Sequence, residues 1–249
     1  MFRALERETN RSLVNRGRGK QVSLTADGAA FLVQARRLLL LADEMRRPEI
    51  YTTSEKPLRL GTTLTFALSV VSRVLAANIS NPIISNVIVK TARSHQIMSL
   101  LDEGQIDVAL VLDQGPNTKR QSMIEVDLAW VDTQRFSKSC DTPLPLAFLD
   151  DARDLRRHAY DSLDSEYCDF KTSLITHPDP VGLRAFLNAG AAVSILPRPA
   201  IVEPLKDVGE QLGLPALKKV PVSLYSSQVT DTRGQNKLGE FLISELKSN

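Results

Sequence analysis

Three stretches of the sequence place hydroxyl, guanidinium and imidazole groups at points where predicted β-strands end. Hydroxyls and the free N–H groups of a helix's first turn bind anions and carboxylates, and an imidazole changes its charge near neutral pH. The pattern therefore predicts a site for a small molecule, with a carboxylate as the candidate ligand. The groups are Thr63 and Thr65 in GTTLT, Arg93, Ser94 and His95 in TARSH, and Thr176 and His177 in LITHP.

The same residues also have a purely structural interpretation. Thr65 and Ser94 are good N-cap residues for the helices that would follow these strands. Arg93 and His95 would then be ordinary surface side chains, and His177 an ordinary loop residue. Both interpretations stay open at this point.

The other reactive residue types form no catalytic or metal-binding pattern. Serine, histidine and aspartate are present without a G-x-S-x-G elbow, and the sequence contains no P-loop and no G-x-G-x-x-G after a strand. His95, His158 and His177 lack metal-ligand spacing, and two cysteines, Cys140 and Cys168, are too few for a zinc site. We therefore expect no enzymatic activity, no cofactor and no bound metal.

Positive charge is concentrated near the amino end. Residues 1–47 contain ten Arg and Lys against five Asp and Glu, although the whole chain carries a net charge of only +2. This excess is typical of a segment that faces a polyanion, and a solvated helix face is the alternative. The side chains that we expect to contact DNA phosphates are Arg3, Arg7, Arg16, Arg18 and Lys20.

The first 56 residues are expected to form a hairpin followed by one long helix. Residues 15–23 are typical of a tight hairpin because Gly17 and Gly19 permit positive φ, and Thr25 is the expected N-cap of a helix that ends before Pro48. An apolar stripe along this helix predicts pairing with a second copy in a homodimer or homotetramer. The stripe consists of Phe31, Ala35, Leu38, Ala42 and Met45.

After Pro57 the pattern alternates between strands and helices. This alternation predicts an α/β fold with parallel sheets, whose ligands bind beyond the carboxyl ends of the strands. We expect two units, one of about residues 57–135 with 226–249 and one of about 136–225. The predicted strands are 58–63, 86–92, 106–112, 143–149, 169–175, 192–197 and 220–226, and the predicted helices are 65–78, 94–103, 151–165, 181–189 and 235–247.

Six short stretches, in this order, resemble the LysR-type transcriptional regulators: LTADG, ARRLLLLADE, LRLG, LLDEGQIDVALV, PLPLAF and AGAAVSILP. The resemblance implies two Rossmann-like subdomains of the periplasmic-binding-protein type in an effector-binding domain, residues 57–249. A partial winged helix-turn-helix, residues 1–24, and a linker and dimerisation helix, residues 25–56, would precede it. It also implies effector contacts for Thr65 and Ser94. Ala192 departs from the family, which usually has glycine there.

The resemblance also implies that most of the recognition helix is missing. RALERETNR is similar only to the end of that helix, and Val14 stands where the family usually has phenylalanine. We therefore expect a truncated cytoplasmic regulator, since the sequence has no signal peptide and no apolar run long enough for a membrane span. The alternatives are a dominant-negative dimerisation partner of an intact regulator and a stand-alone small-molecule-binding module.

We expect the 249-residue chain to bind DNA weakly and without sequence preference. Sequence readout requires side chains on a rigid helix in the major groove, whereas phosphate contacts only position a protein. A gel-shift titration on random and operator duplexes should give dissociation constants no tighter than about 10⁻⁶ M for both. A nanomolar footprint on a defined operator would contradict this expectation.

Overall fold

The computed structural model describes residues 2–15, 23–46, 57–81, 86–115, 117–136, 143–150, 152–165, 172–227 and 232–248. Its amino-terminal part contains helix α1 (Phe2–Thr9), strands β1 (Val14–Asn15) and β2 (Ser23–Leu24), and helix α2 (Ala26–Arg46). The predicted hairpin is confirmed, because β1 and β2 pair antiparallel with Val14 opposite Leu24. Its turn lies outside the described residues.

The start of α2 is held against the loop that precedes the hairpin. Thr25 is the helix N-cap, as predicted: its Oγ1 accepts a hydrogen bond from Gly28 N at 2.9 Å and donates one to Ser12 O at 2.6 Å. Gly28 is required at this contact, because a Cβ there would lie 1.9 Å from the carbonyl oxygen of Leu13. Leu13 and Val14 are buried beneath the junction.

The apolar stripe on α2 is only partly covered. Phe31 and Ala35 are half-buried, whereas Leu38 and the neighbouring Leu39 are 68% and 65% exposed. The side chains of Ala42 and Met45 lie outside what the structure describes. An exposed pair of leucines on a 21-residue helix is the feature that a partner helix would cover.

The first sheet contains β3 (Leu58–Thr62), β4 (Val87–Thr91), β5 (Val108–Leu112), β6 (Arg120–Val126) and β12 (Val220–Ser226). Their order in the sheet is β4-β3-β5-β12-β6. Strands β3, β4 and β5 are parallel, and β12 runs antiparallel to β5 and β6. Helices α3 (residues 64–77), α4 (Ser94–Asp102) and α7 (Thr232–Lys247) belong to this unit.

The second sheet repeats this arrangement with β7 (Leu128–Asp132), β8 (Leu144–Leu149), β9 (Thr172–His177), β10 (Ser194–Pro197) and β11 (Lys206–Asp207). Strands β8 and β9 pair in parallel, β7 pairs antiparallel with β10 and β11, and a parallel bridge from Leu146 to Val193 joins the two groups. Helices α5 (Arg153–Ser165) and α6 (Pro180–Asn188) belong to this unit. The predicted α/β fold with two subdomains is therefore confirmed.

Strand pairing divides the two units differently from the predicted boundaries. Residues 128–131 pair with β10 in the second sheet, and residues 222–226 pair with β5 in the first. The chain therefore crosses between the sheets at Asp127 and returns between β11 and β12. Strands β6, β7 and β11 were not predicted, because antiparallel crossing strands lack the alternation with helices that indicated the others.

One apolar core extends across both units. It contains Leu60 and Val70 from the first unit together with Phe148 and Ile195 from the second. Trp130 is buried in the same core, and its indole N–H donates to Pro215 O at 2.7 Å. No helix within the described residues is both long and apolar enough to span a membrane.

We expect Asp107→Ala to lower the free energy of unfolding by about 3 kcal/mol. Asp107 is buried and accepts from Arg59 through Nε at 3.0 Å, Nη2 at 2.7 Å and the backbone N at 2.8 Å, so its removal breaks three hydrogen bonds, two of them to a half-buried guanidinium. Urea denaturation measures the change. The matched control is Glu240→Ala, which breaks the exposed ion pair with Lys237 and should lower the free energy of unfolding by no more than about 0.5 kcal/mol. An equal decrease in both variants would contradict the expectation.

Candidate functional site

The carboxyl ends of β3 and β4 lie side by side. Thr62 stands opposite Thr91 in the parallel pair, so the residues that follow each strand begin at neighbouring points of one sheet edge. Thr62 itself is buried and its Oγ1 donates to Leu110 O at 2.6 Å. The two following segments, 63–65 and 92–95, are therefore the ones available to a ligand.

Thr63, rather than Thr65, is the N-cap of α3. Its Oγ1 accepts from Phe66 N at 3.5 Å, and its backbone is extended. Thr65 lies inside the first helical turn, where its carbonyl accepts from Ser69 Oγ at 2.8 Å. The capping role predicted for Thr65 is thus wrong, because the strand pairing ends at Thr62 and the next residue takes the cap. Both threonines are half-buried at the strand exit.

Arg93, rather than Ser94, occupies the N-cap position of α4. Gln96 reaches back so that its Oε1 accepts from Arg93 N at 3.2 Å. This bond replaces the hydroxyl cap that was predicted for Ser94, which is the first helical residue and is half-buried. Arg93 and His95 are exposed at the same edge.

The Arg93 side chain connects the two units. Its Nη2 donates to the carbonyl oxygen of Pro178, which follows β9 in the second sheet, at 3.5 Å. The segments that follow β4 and β9 therefore meet at this contact. Thr176 and His177, the last two residues of β9, lie on its second-unit side.

The imidazole of His177 is held within the second unit. Its Nδ1 lies 3.0 Å from Asp179 N and 2.9 Å from Asp179 O. The ring meets Phe186 edge-on at 5.9 Å, and a Cβ on Gly182 would collide with it at 2.1 Å. These contacts fix the ring on the first turns of α6, and among the described residues its hydrogen bonds stay within the second unit.

A partly buried polar cluster at the carboxyl end of β5 was not predicted. Asp113 Oδ1 accepts from Ser223 Oγ at 2.5 Å, Tyr225 OH at 2.8 Å and Arg120 Nη1 at 2.9 Å. Burial raises the pKa of Asp113, but these three bonds and a fourth from the Gly115 N–H outweigh it and hold the pKa below its ordinary value. Burial and then the Asp113 carboxylate raise the pKa of Tyr225. The cluster joins the end of β5 to β6 and β12.

The predicted DNA-contacting residues fall into two groups. Arg3 and Arg7 are exposed on α1, four residues apart and hence on one face. Arg16, Arg18 and Lys20 lie outside the described residues. Across the part of the chain that the structure describes, no group of three or more histidine, cysteine or carboxylate side chains is placed to hold a metal ion.

Comparison with known proteins places this geometry in a family. The model of the LysR substrate binding domain matches residues 52–233. The HTH-type transcriptional regulator PecT of Dickeya dadantii (strain 3937) is 24% identical over 237 residues, which cover 92% of this chain and 71% of PecT.

Solved structures give the same result for the fold. Full-length CbnR in complex with its target DNA has a TM-score of 0.58 at 19% identity and covers 98% of this chain and 87% of CbnR. Full-length LysG from Corynebacterium glutamicum with bound effector Arg has a TM-score of 0.58 at 15% identity, covering 99% of this chain and 86% of LysG. The chain belongs to the LysR-type transcriptional regulators and carries their substrate-binding domain.

Proposed function

We propose that this regulator binds a small anionic effector, with a carboxylate as the candidate, in the gap between the two sheets. The observation that carries the proposal is the contact from Arg93 to the Pro178 carbonyl, which brings the strand exits of the two units face to face. The domain acts by binding rather than by catalysis, because the residues at the gap are hydroxyls and cations without a nucleophile–base pair.

The first unit supplies the groups that recognise the anion. Thr63 and Thr65 offer hydroxyls at the start of α3, and Ser94 and the first-turn N–H groups of α4 lie at the adjacent strand exit. Arg93 and His95 provide positive charge at the same edge. Thr176 and His177 close the gap from the second unit, where the fixed orientation of the His177 ring presents a preformed wall.

A bound carboxylate would compete with Pro178 for the Arg93 guanidinium. A charge-assisted hydrogen bond to a carboxylate is about twice as strong as one to a neutral carbonyl, and the 3.5 Å contact to Pro178 is a long one. Effector binding would therefore replace the direct contact between the units by one made through the ligand. The angle between the units would change, as in other hinged binding domains.

The amino-terminal part of the chain would convert this change into altered DNA contacts. We propose that α2 pairs with α2 of a second copy, in a homodimer or homotetramer, and so covers Leu38 and Leu39. Each square ångström of apolar surface that is removed from water contributes about 25 cal/mol. Arg3, Arg7, Arg16, Arg18 and Lys20 would then contact DNA phosphates. The same helix face also supports the alternative of mixed dimers with an intact regulator.

Arg93→Gln should weaken binding of a carboxylate effector about tenfold or more, because a hydrogen bond to a charged group is lost. Thermal-shift titrations with benzoate, succinate and arginine identify a carboxylate that stabilises the full chain and then measure its Kd on the variant. The matched control is Arg184→Gln, whose guanidinium also donates to a backbone carbonyl, that of Glu203, within the second unit. Equal Kd values for Arg93→Gln and wild type, or no stabilisation by any of the three, would contradict the proposal.

Leu38→Glu should shift the chain from oligomer to monomer at micromolar concentration, because it places a charge in the middle of the proposed helix pair. Sedimentation velocity measures the change. The control is Met123→Glu, which places the same charge on β6 at a side chain of similar size that is 50% exposed. It should leave the oligomer intact. A wild-type chain that sediments as a clean monomer would refute pairing through α2.

A further inference from the structure

Helix α3 is interrupted by a π-helical turn. It consists of α-helical Leu64–Phe66, π-helical Ala67–Val71 and α-helical Ser72–Ala77. The Ser72 N–H donates to Ala67 O, five residues back. Single π turns inside α-helices occur frequently at functional sites.

Two serine hydroxyls stabilise this interruption. Ser69 Oγ donates to Thr65 O at 2.8 Å, and Ser72 Oγ donates to Ser69 O at 2.9 Å. Both hydroxyls satisfy carbonyls of the helix itself. Ser69 is fully buried, so its hydroxyl is committed to this bond.

The π turn packs against the second unit. It lies against the short 3₁₀ turn Arg198–Ala200, which follows β10. Val70, Val71 and Ala200 are all buried in the core that the two units share. The interrupted part of α3 is therefore the part that touches the other unit.

Arg73, two residues after the π turn, connects α3 to α7 and to the 3₁₀ turn of the second unit. Its Nε lies 2.5 Å from Glu245 Oε1 on α7, and its Nη2 donates to Pro199 O at 2.8 Å. One guanidinium thus joins two helices of the first unit to a backbone carbonyl of the second. The pair is only partly exposed, which limits the screening of its charges by water.

This contact lies beside a crossing between the sheets. Arg198 N donates to the carbonyl oxygen of Asp127, the residue at which the chain passes from β6 to β7. The other end of α3 begins at Thr63, at the strand exit. A shift of one residue along a helix moves its contacts by 1.5 Å and rotates them by about 100°, and a displacement close to a hinge becomes larger farther from it.

We propose that α3 sets the angle between the two sheets, with the π turn as its adjustable part and Arg73 as its positioning residue. The helix thereby connects the strand exit at Thr63 to the inter-unit contact at Pro199. The proposal concerns the angle between the sheets and stands independently of whether a carboxylate binds in the gap.

Deletion of Leu68 tests the adjustable part, because it removes one residue of the π turn at a half-exposed position and allows a continuous α-helix. Arg73→Gln tests the positioning residue. Spin labels at Met123→Cys in the first sheet and Val181→Cys on α6 report the distance between the units by pulsed electron paramagnetic resonance. Cys140 and Cys168 are replaced by serine, and labelled chain is diluted with unlabelled chain so that distances within one chain dominate.

The Leu68 deletion should change the mean distance by about 3 Å or more, twice the helical rise per residue, and Arg73→Gln should broaden the distribution. Arg157→Gln, in the exposed pair with Asp154 within α5, is the control and should match wild type. If the deletion variant does not fold, the distance distribution of Arg73→Gln alone tests the proposal. A distribution for Arg73→Gln that superimposes on wild type overturns the proposal, as does an unchanged distance in a folded deletion variant.

Discussion

The passage of the chain from one sheet to the other at Asp127 is the constraint on which the rest of the domain depends. Strand β6 pairs in the first sheet and β7 in the second, so two residues adjacent to Asp127 belong to different units. The return through β12 makes the connection double. Two links close together permit rotation of the units but prevent their separation.

In the proposed function, the residues near the gap form a recognition set and a supporting set. Thr63, Arg93 and Ser94 would meet the ligand at the strand exits, whereas His177 is fixed by Asp179 and Phe186. The Asp113 cluster connects the end of β5 to β6 and β12, the two strands next to the passage between the sheets. Its hydrogen bonds lower the pKa of the Asp113 carboxyl. On this proposal recognition and positioning depend on different residues, and the family membership supports a domain that binds an effector.

Local patterns in the sequence predicted most of the fold. The alternation of strands and helices indicated β3, β4 and β5, and Thr25 was correctly identified as a cap. The sequence did not indicate that β7 belongs to the second sheet and β12 to the first. Hydrogen bonding with strands that are distant in the sequence determines these partners. The caps at Thr63 and Arg93 were misplaced by one or two residues for the same reason: the strand register and the Gln96 side chain determine where each helix begins. The Asp113 cluster draws on three strands, and only the tertiary structure reveals it.

We propose that one small molecule contacts both units at once. Hydrogen–deuterium exchange of the full chain, with and without a saturating carboxylate that stabilises it, measures this contact in each unit separately. We expect slower exchange in residues 63–66 and 93–97 of the first unit and, in the same experiment, in residues 176–183 of the second. Protection confined to one unit, or to residues away from the strand exits, would contradict it.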